Sequence, residues 1–308
     1  MIRFIYNPKS GKIGKNRRLA PLLREFVAAS RGNAELVATE RPGHATVLAA
    51  EAAERGYDRV IAVGGDGTLN ETAQALLHSS TALGLIPCGS GNGLARHLHL
   101  PLQAEAALRL AVSDDAAVRV IDTGSANGKP FFNVMGLGLE ADVAWRFNHL
   151  KSRGLATYVK AAWSAFSARV PEVCTVTDGH HREKVNVFFL CVANSDQWGN
   201  NARIAPGAQV DDGKLDLVAV APRGWLGAAG LATRLFTGSV LRAPGVRHWR
   251  GGRFQIERVR PGIIHTDGET HELGTTIEIV VVPSSLRVLV PATEARRAAQ
   301  ARGFALQL

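Results

Sequence analysis

The strand-like run Arg59-Val60-Ile61-Ala62-Val63 passes without a spacer into Gly64-Gly65-Asp66-Gly67-Thr68, and residues 68–77 then have helical composition. Strand, tight glycine turn, helix is the repeating unit of a parallel sheet whose strands are joined by crossover helices. The same alternation surrounds it. Residues 2–6, 34–39 and 82–86 are short apolar runs, separated by stretches rich in Ala, Leu, Glu and Arg. In such a sheet ligands bind beyond the carboxyl ends of the strands, so the strand-to-helix loops are where chemistry is expected.

Four of those loops carry special residues: Asn7-Pro8-Lys9-Ser10-Gly11, Thr39-Glu40-Arg41-Pro42-Gly43-His44, the Gly64 to Thr68 turn, and Pro87-Cys88-Gly89-Ser90-Gly91-Asn92-Gly93. Glycines let main-chain N–H groups approach anionic oxygens, and the helix that follows adds its positive end, so phosphate is the expected guest. Asp66 would repel a triphosphate unless a cation intervened, which points to a nucleotide with Mg²⁺. An isolated Gly-Gly-Asp-Gly equally makes a tight turn with the aspartate as a helix cap. A second glycine loop after the neighbouring strand weighs against that plain reading. Two other nucleotide motifs fail: Gly11-Lys12-Ile13-Gly14-Lys15-Asn16 is too short for a P-loop and has no Ser or Thr after the lysine. Gly136-Leu137-Gly138-Leu139-Glu140-Ala141 has the dinucleotide spacing without a βαβ continuation.

After residues 103–112 the texture changes to strands: 172–177 and 185–192, with the turn signal Asp178-Gly179 between them, then 215–220, 253–258, 263–266, 276–282 and 286–290. Helical interruptions are expected at 141–147 and 155–168. The 308 residues are too many for one small core. We therefore expect an α/β chain of two domains: a doubly wound, Rossmann-like nucleotide-binding domain over residues 1–122 and a β-rich domain over 123–290, with the helix-prone tail 291–308 returning to the first. A net charge of +9 favours anionic partners. The cations are scattered and no nucleic-acid motif is present, so nucleic acid is not expected. Cys88, Cys174 and Cys191 have neither paired nor CxxC spacing and read as buried thiols in a reducing compartment. The N-terminal residues read as a strand rather than a leader, giving a cytoplasmic expectation, and the apolar stretch from Gly224 to Leu235 is too short and too interrupted to span a bilayer.

Gly64 to Glu71 followed by Pro87 to Leu98 resembles the catalytic domain of the diacylglycerol kinase family, which includes sphingosine kinases and bacterial lipid kinases. Further segments resemble it at Asn7 to Gly11, Asn133 to Gly138, Ile204-Ala205-Pro206 with Asp211-Asp212-Gly213-Lys214-Leu215-Asp216, and Asp267-Gly268-Glu269, so the resemblance covers essentially the whole chain. It implies an ATP- and Mg²⁺-dependent kinase with its active site between a nucleotide domain and a lipid-acceptor domain, acting on diacylglycerol or a similar glycerolipid at a membrane surface. A homodimer and peripheral attachment to the inner membrane surface are left open. By the resemblance, Gly64, Gly65, Asp66, Gly67, Thr68, Leu69 and Asn70 hold ATP phosphates, with Thr39 and Ser90 as further contacts and Asn7 and Lys9 nearby. The catalytic set is Asp66, serving the metal, with Asp267 and Glu269, the glutamate being the base for the lipid hydroxyl. Asp212 and the carbonyls of Gln209 and Lys214 match a structural Mg²⁺ site. Asp267-Gly268 and Asp211-Asp212-Gly213 also read as ordinary turns.

The sequence departs from common family patterns at Ser195-Asp196-Gln197-Trp198-Gly199-Asn200-Asn201, a loop expected to face the acceptor. The double glycine at 64–65 tilts the reading away from sphingoid bases. NAD kinase, which shares Gly-Gly-Asp-Gly, is the first rival, and a non-catalytic lipid or nucleotide-binding regulator the second. The acids Asp66, Asp267 and Glu269 weigh against the regulator. His97, His99, His180 and His181 lack metal-ligand spacing. Trp145, Trp163, Trp225 and Trp249, with Arg146, Lys151, Arg153, Lys160 and Arg250 nearby, form either an interfacial surface or ordinary core.

Overall fold

The computed structural model describes residues 1–10, 19–139, 141–142 and 171–305, with side-chain surroundings described to residue 300. The P-loop-like run from Gly11 to Asn16, the helical expectations at 143–147 and 155–168, and Trp145 and Trp163 with Arg146, Lys151, Arg153 and Lys160 lie outside the described residues. The chain divides into two compact units, Met1–Ile121 with Ser284–Leu308, and Asp122–Pro283.

In the first unit β1 (Ile2–Tyr6), α1 (Leu19–Ala29), β2 (Ala34–Ala38), α2 (His44–Glu54), β3 (Arg59–Gly64), α3 (Asp66–Ala75), β4 (Ala82–Pro87), α4 (Gly93–His97) and α5 (Ala104–Val112) follow in order. The strands lie parallel in the order β2-β1-β3-β4. Phe4, Ile61, Val63 and Ile86 project from the strands into one core with Leu19 and Leu23, one turn apart on α1, and Ala107 and Ala111 on α5. Strands buried on both faces need continuous apolar runs, which is why β3 and β4 read so plainly. From β1 the chain steps outward to β2 and then returns to the other side of β1 for β3. The β1/β3 boundary is therefore the topological switch point, where open α/β sheets hold their ligands.

The second unit is antiparallel. It contains β5 (Ala117–Ala126, which begins in the first unit), β6 (Lys129–Phe131), β7 (Val134–Gly138), β8 (Glu172–Thr177), β9 (Arg182–Val187), β10 (Phe189–Ala193), β11 (Gln197–Gly199), β12 (Ala202–Arg203) and β13 (Leu215–Val220). α6 (Trp225–Thr237), β14 (Val246–Gly251), β15 (Arg253–Arg258), β16 (Gly262–Thr266), β17 (Glu269–Leu273) and β18 (Thr276–Val290, whose last residues from Ser284 on belong to the first unit) complete it, and α7 (Ala292–Ala305) belongs to the first unit. One sheet runs β14-β13-β10-β7-β16-β17. Its Leu137, Leu190, Leu217 and Ile264 share a core with Val176, Phe254, Ile256 and Ile277 from β8, β15 and the start of β18. Its opposite face, with Cys191, Val218 and Val220, is covered by Leu231 and Leu235 of α6.

Residues 185–192, expected as one strand, divide into β9 and β10, which pair in different sheets; Phe188 at the break donates its N–H to the Val220 carbonyl at 2.7 Å. The apolar run continues through the break, so no turn residue announces it. Residues 276–282 and 286–290, expected as two strands, form the single β18, with Pro283 exposed within it. Strands β5 and β14 were not expected; each mixes polar and apolar residues because it is only partly buried.

Candidate functional site

Because β2, β1, β3 and β4 are parallel neighbours, the loops after them emerge side by side. After β2, the Thr39 N–H donates to the Tyr6 carbonyl at 2.8 Å. After β1, Asn7 closes an Asx turn by accepting the Lys9 N–H at 2.9 Å, and its Nδ2 donates to Thr68 Oγ1 at 3.0 Å. Ser10 Oγ accepts the Gly65 N–H at 3.3 Å. The Gly64 carbonyl in turn accepts the Cys88 N–H at 2.7 Å from the loop after β4. The loops of Asn7, Gly64 and Gly89 are thus cross-linked at the switch point.

Two glycines in these loops answer to close packing. A Cβ on Gly64 would stand 2.4 Å from Thr68 Oγ1, and one on Gly89 would stand 2.9 Å from the Cα of Gly65. The loops close so tightly that the space beneath Gly64, Gly65 and Asp66 is about 10 Å³, room for one water. On their outer side the loops are less crowded. There Gly67 is open, with nothing within 4 Å of a Cβ position. α3 starts at Asp66, so the N–H groups of Gly67 and Thr68 have no acceptor within the helix and carry its positive end.

The Asp66 carboxylate is engaged on both oxygens: Oδ2 accepts the Asn92 N–H at 3.1 Å and Oδ1 the Gly93 N–H at 3.2 Å. It therefore fastens the two glycine loops together and caps the first turn of α4. Glu71, one turn further along α3, accepts the Ala45 N–H on Oε2 at 3.1 Å, while its carbonyl accepts from Thr46 Oγ1 at 2.9 Å. This acid holds the start of α2, a role that no local sequence signal announced. Asn70 is buried and accepts from Gln74 within α3, and Leu69 lines the small space under the loops. Lys9 and Ser90 are exposed on their loops.

The other expected site residues lie in the second unit. Asp267 and Gly268, at φ 49° and 89°, form the two-residue turn joining β16 to β17, with Thr266 opposite Glu269. The hairpin is also a clamp. Asp267 Oδ2 accepts the Phe132 N–H at 2.7 Å, and Oδ1 accepts those of Asn133 and Val134 at 3.0 and 2.9 Å. Burial pushes its carboxyl up to about 6, against these three donors and the nearby His265, which favour the charged form. Glu269 is exposed, and its carboxylate makes no hydrogen bond or ion pair among the described residues. Around Asn133 lies a buried amide network: its Nδ2 donates to the Gln197 carbonyl at 2.6 Å, its Oδ1 meets Ser195 Oγ, and Asn194 Nδ2 donates to the carbonyls of Asp122 and Phe132 at 2.9 and 3.0 Å. Asn194 Oδ1, Gln197 Oε1 and Trp198 Nε1 are buried with no hydrogen-bond partner among the described residues.

At Asp212, Oδ1 accepts the Lys214 N–H at 3.0 Å and Oδ2 pairs with Arg250, whose Nε also lies 3.7 Å from Asp216. Burial pushes the Asp212 carboxyl up and Arg250 opposes it. A guanidinium already supplies positive charge at this turn. Gln209 and Lys214 are exposed on the same loop. Among the described residues no group of three or more His, Cys, Asp or Glu side chains converges as a metal site.

The diacylglycerol kinase catalytic domain model matches residues 1–126, and the YegS C-terminal NAD kinase beta sandwich-like domain model matches residues 133–290. The chain is 31% identical over 274 residues to a diacylglycerol kinase of Bacillus subtilis (strain 168), covering 87% of this chain and 89% of that protein. It is 32% identical over 278 residues to a protein of Pseudomonas aeruginosa strain PAO1 named as a YegS-like lipid kinase, covering 88% of this chain and 90% of that one. Among solved structures, a Bacillus anthracis protein described as a diacylglycerol kinase superposes with TM-score 0.78 at 24% identity over 94% of each chain. An NAD kinase from Archaeoglobus fulgidus in complex with ATP superposes with TM-score 0.55 at 14% identity over 96% of each, a likeness of fold.

Proposed function

Because the chain belongs to the diacylglycerol kinase catalytic-domain family, we propose that it transfers the γ-phosphoryl group of MgATP to the free hydroxyl of diacylglycerol or a closely similar glycerolipid. The observation that carries this reading is the cross-linked loop set at the β1/β3 switch point, where the N–H groups of Gly67 and Thr68 open α3 without helix acceptors and Asn7 ties Thr68 to the loop that carries the exposed Lys9. Backbone N–H groups and a lysine are suited to the β- and γ-phosphates. The Mg²⁺ would arrive with the nucleotide, with phosphate oxygens and water supplying most of its shell, and Asp66, each of whose oxygens already accepts one backbone N–H, would add a carboxylate lone pair to it.

In the transfer, the acceptor oxygen forms a bond to the γ-phosphorus, the bond to the bridging oxygen of ADP breaks, and the hydroxyl proton must leave. Glu269 is the group proposed to take that proton, since its carboxylate has no hydrogen bond or ion pair to give up. Asp267, fixed by three backbone donors, positions the hairpin that carries it. Gln197 and Trp198, whose Oε1 and Nε1 are unmatched and whose segment is tied by the Gln197 carbonyl to Asn133 and so to Asp267, are the proposed contacts for the polar part of the acceptor.

The test is phosphate transfer from radiolabelled ATP, with Mg²⁺, to a panel of dispersed lipids and, separately, to NAD. The NAD arm is included because of the fold likeness to an NAD kinase. Label in a glycerolipid is expected; label in NAD and in no lipid overturns the reading. Glu269→Gln should abolish lipid phosphorylation and leave ATP binding nearly intact, and unchanged turnover would remove Glu269 from the role of base.

A further inference from the structure

The second unit turns an unusual helix outward. On α6, Leu231 and Leu235 are buried against the sheet, while Trp225, Leu226 and Phe236 are 47%, 92% and 58% exposed. At 100° per residue these three fall with Ala229, Ala232 and Thr233 within about one third of the helix circumference. A helix of a water-soluble surface puts charged residues there. Here the only charged residue of α6 is Arg234, on the flank. The surrounding chain is biased the same way: from Leu217 to Ile256 there are six arginines and no Asp or Glu. Among the described residues no carboxylate pairs with Arg234, Arg242 or Arg203, and Arg203 lies at the carboxyl end of α6, within 3.5 Å of a Cβ position on Gly238. Beside the apolar face, Gly227 and Gly230 open a groove of about 340 Å³ lined also by Arg223 and Arg234.

We propose that α6 is an interfacial helix that seats the enzyme on an anionic bilayer, its Trp225, Leu226 and Phe236 entering the headgroup boundary and Arg203, Arg234 and Arg242 meeting lipid phosphates. The charge pattern selects this occupant: an apolar face with cations at its border and no acids fits a negatively charged lipid surface. The inference rests on the proposed lipid-kinase reading for its purpose, but its test needs neither ATP nor turnover. The full chain is sedimented with phosphatidylcholine vesicles and with vesicles of phosphatidylcholine and phosphatidylglycerol. Binding to the anionic vesicles alone, weakened by salt, is expected. Leu226→Glu should weaken it about tenfold or more through loss of an inserted apolar side chain. Arg234→Gln with Arg242→Gln should weaken it about tenfold. Because Leu226 is almost wholly exposed, its variant should keep the wild-type Tm, and phosphorylation of a short-chain glycerolipid in free solution should be unchanged. Equal vesicle binding by wild type and Leu226→Glu overturns the proposal. So does a concentration-dependent dimer that Leu226→Glu dissociates while vesicle binding persists, since the face would then belong to a second copy.

Discussion

Asp66→Asn separates two roles that one aspartate can have in a phosphate loop. Each oxygen of the carboxylate accepts one backbone N–H, from Asn92 and Gly93, at 3.1 and 3.2 Å. An asparagine keeps one acceptor oxygen and turns an NH₂ group toward the other N–H. One charge-assisted bond is lost and a donor faces a donor; partial solvent access puts the cost at about 2 kcal/mol. For a chain of 308 residues that corresponds to a Tm lowered by roughly 3 °C. The assay is thermal unfolding followed by circular dichroism or calorimetry, without nucleotide or metal, so that no ligand linkage contributes. Were Asp66 only a metal carboxylate, removing its charge from an apo site would leave Tm unchanged or raise it. Either result would refute the reading of Asp66 as the tie between the glycine loops. Gly91→Ala offers an independent check, because its Cβ would come 3.0 Å from Asp66 Oδ2 and push the same loop away.

Asp267 should make stability depend on acid pH. With its carboxyl raised to about 6, the folded chain holds a proton that the unfolded chain releases near 4, so this group's contribution falls as pH rises through that window and is flat above it. The full effect is about 3 kcal/mol. Urea midpoints from pH 4 to 8 should show this fall in wild type relative to Asp267→Asn; a relative rise would mean that the three N–H donors outweigh burial. Arg250→Ala leaves Asp212 without its cation, and, discounted for solvent exposure, should cost about 1 kcal/mol. Added Mg²⁺ should then raise the Tm of the variant but not of wild type, whereas a wild-type Tm that falls on chelation would place a divalent ion on Asp212. Gly64→Ala puts a methyl 2.4 Å from Thr68 Oγ1, and displacing the start of α3 should weaken ATP binding in calorimetry by about tenfold or more; unchanged affinity would show that the loop can yield.

The parallel half of the fold was legible because its central strands are buried on both faces and stop at glycines. Phe4, Ile61 and Ile86 sit in continuous apolar runs, and such runs leave little choice of element. The second unit was legible as β-rich but not strand by strand. Val246–Gly251 pairs along its whole length with β13, yet its arginines and histidine face solvent, so its sequence lacks an apolar run. At the candidate site, the residue types announced phosphate chemistry, but their partners did not appear in the sequence. Asn7 meets Thr68 across 61 positions and Asp267 meets Phe132 across 135, distances over which spacing carries no signal. The amides Asn133, Asn194 and Gln197 could have been suspected, since amides enclosed by runs such as Phe189–Ala193 and residues 134–138 must be buried and must therefore bond to something.

The acidic residues of the motifs divide by what their oxygens already do. Asp66, Glu71, Asp212 and Asp267 all accept backbone N–H groups, and each thereby fixes a loop, a helix start or a hairpin. A carboxylate held in this way gives precise geometry and is poorly placed to move a proton, because taking one would weaken the bonds that hold it. Glu269 is the motif acid left exposed without such bonds among the described residues. A general base must exchange its proton each turnover and so gains from having no structural bond to break. On this division the Asp267-Gly268-Glu269 sequence puts a clamp and a base two positions apart, one rigid and one free, and the turn that makes it look ordinary is what carries the base on a fixed support.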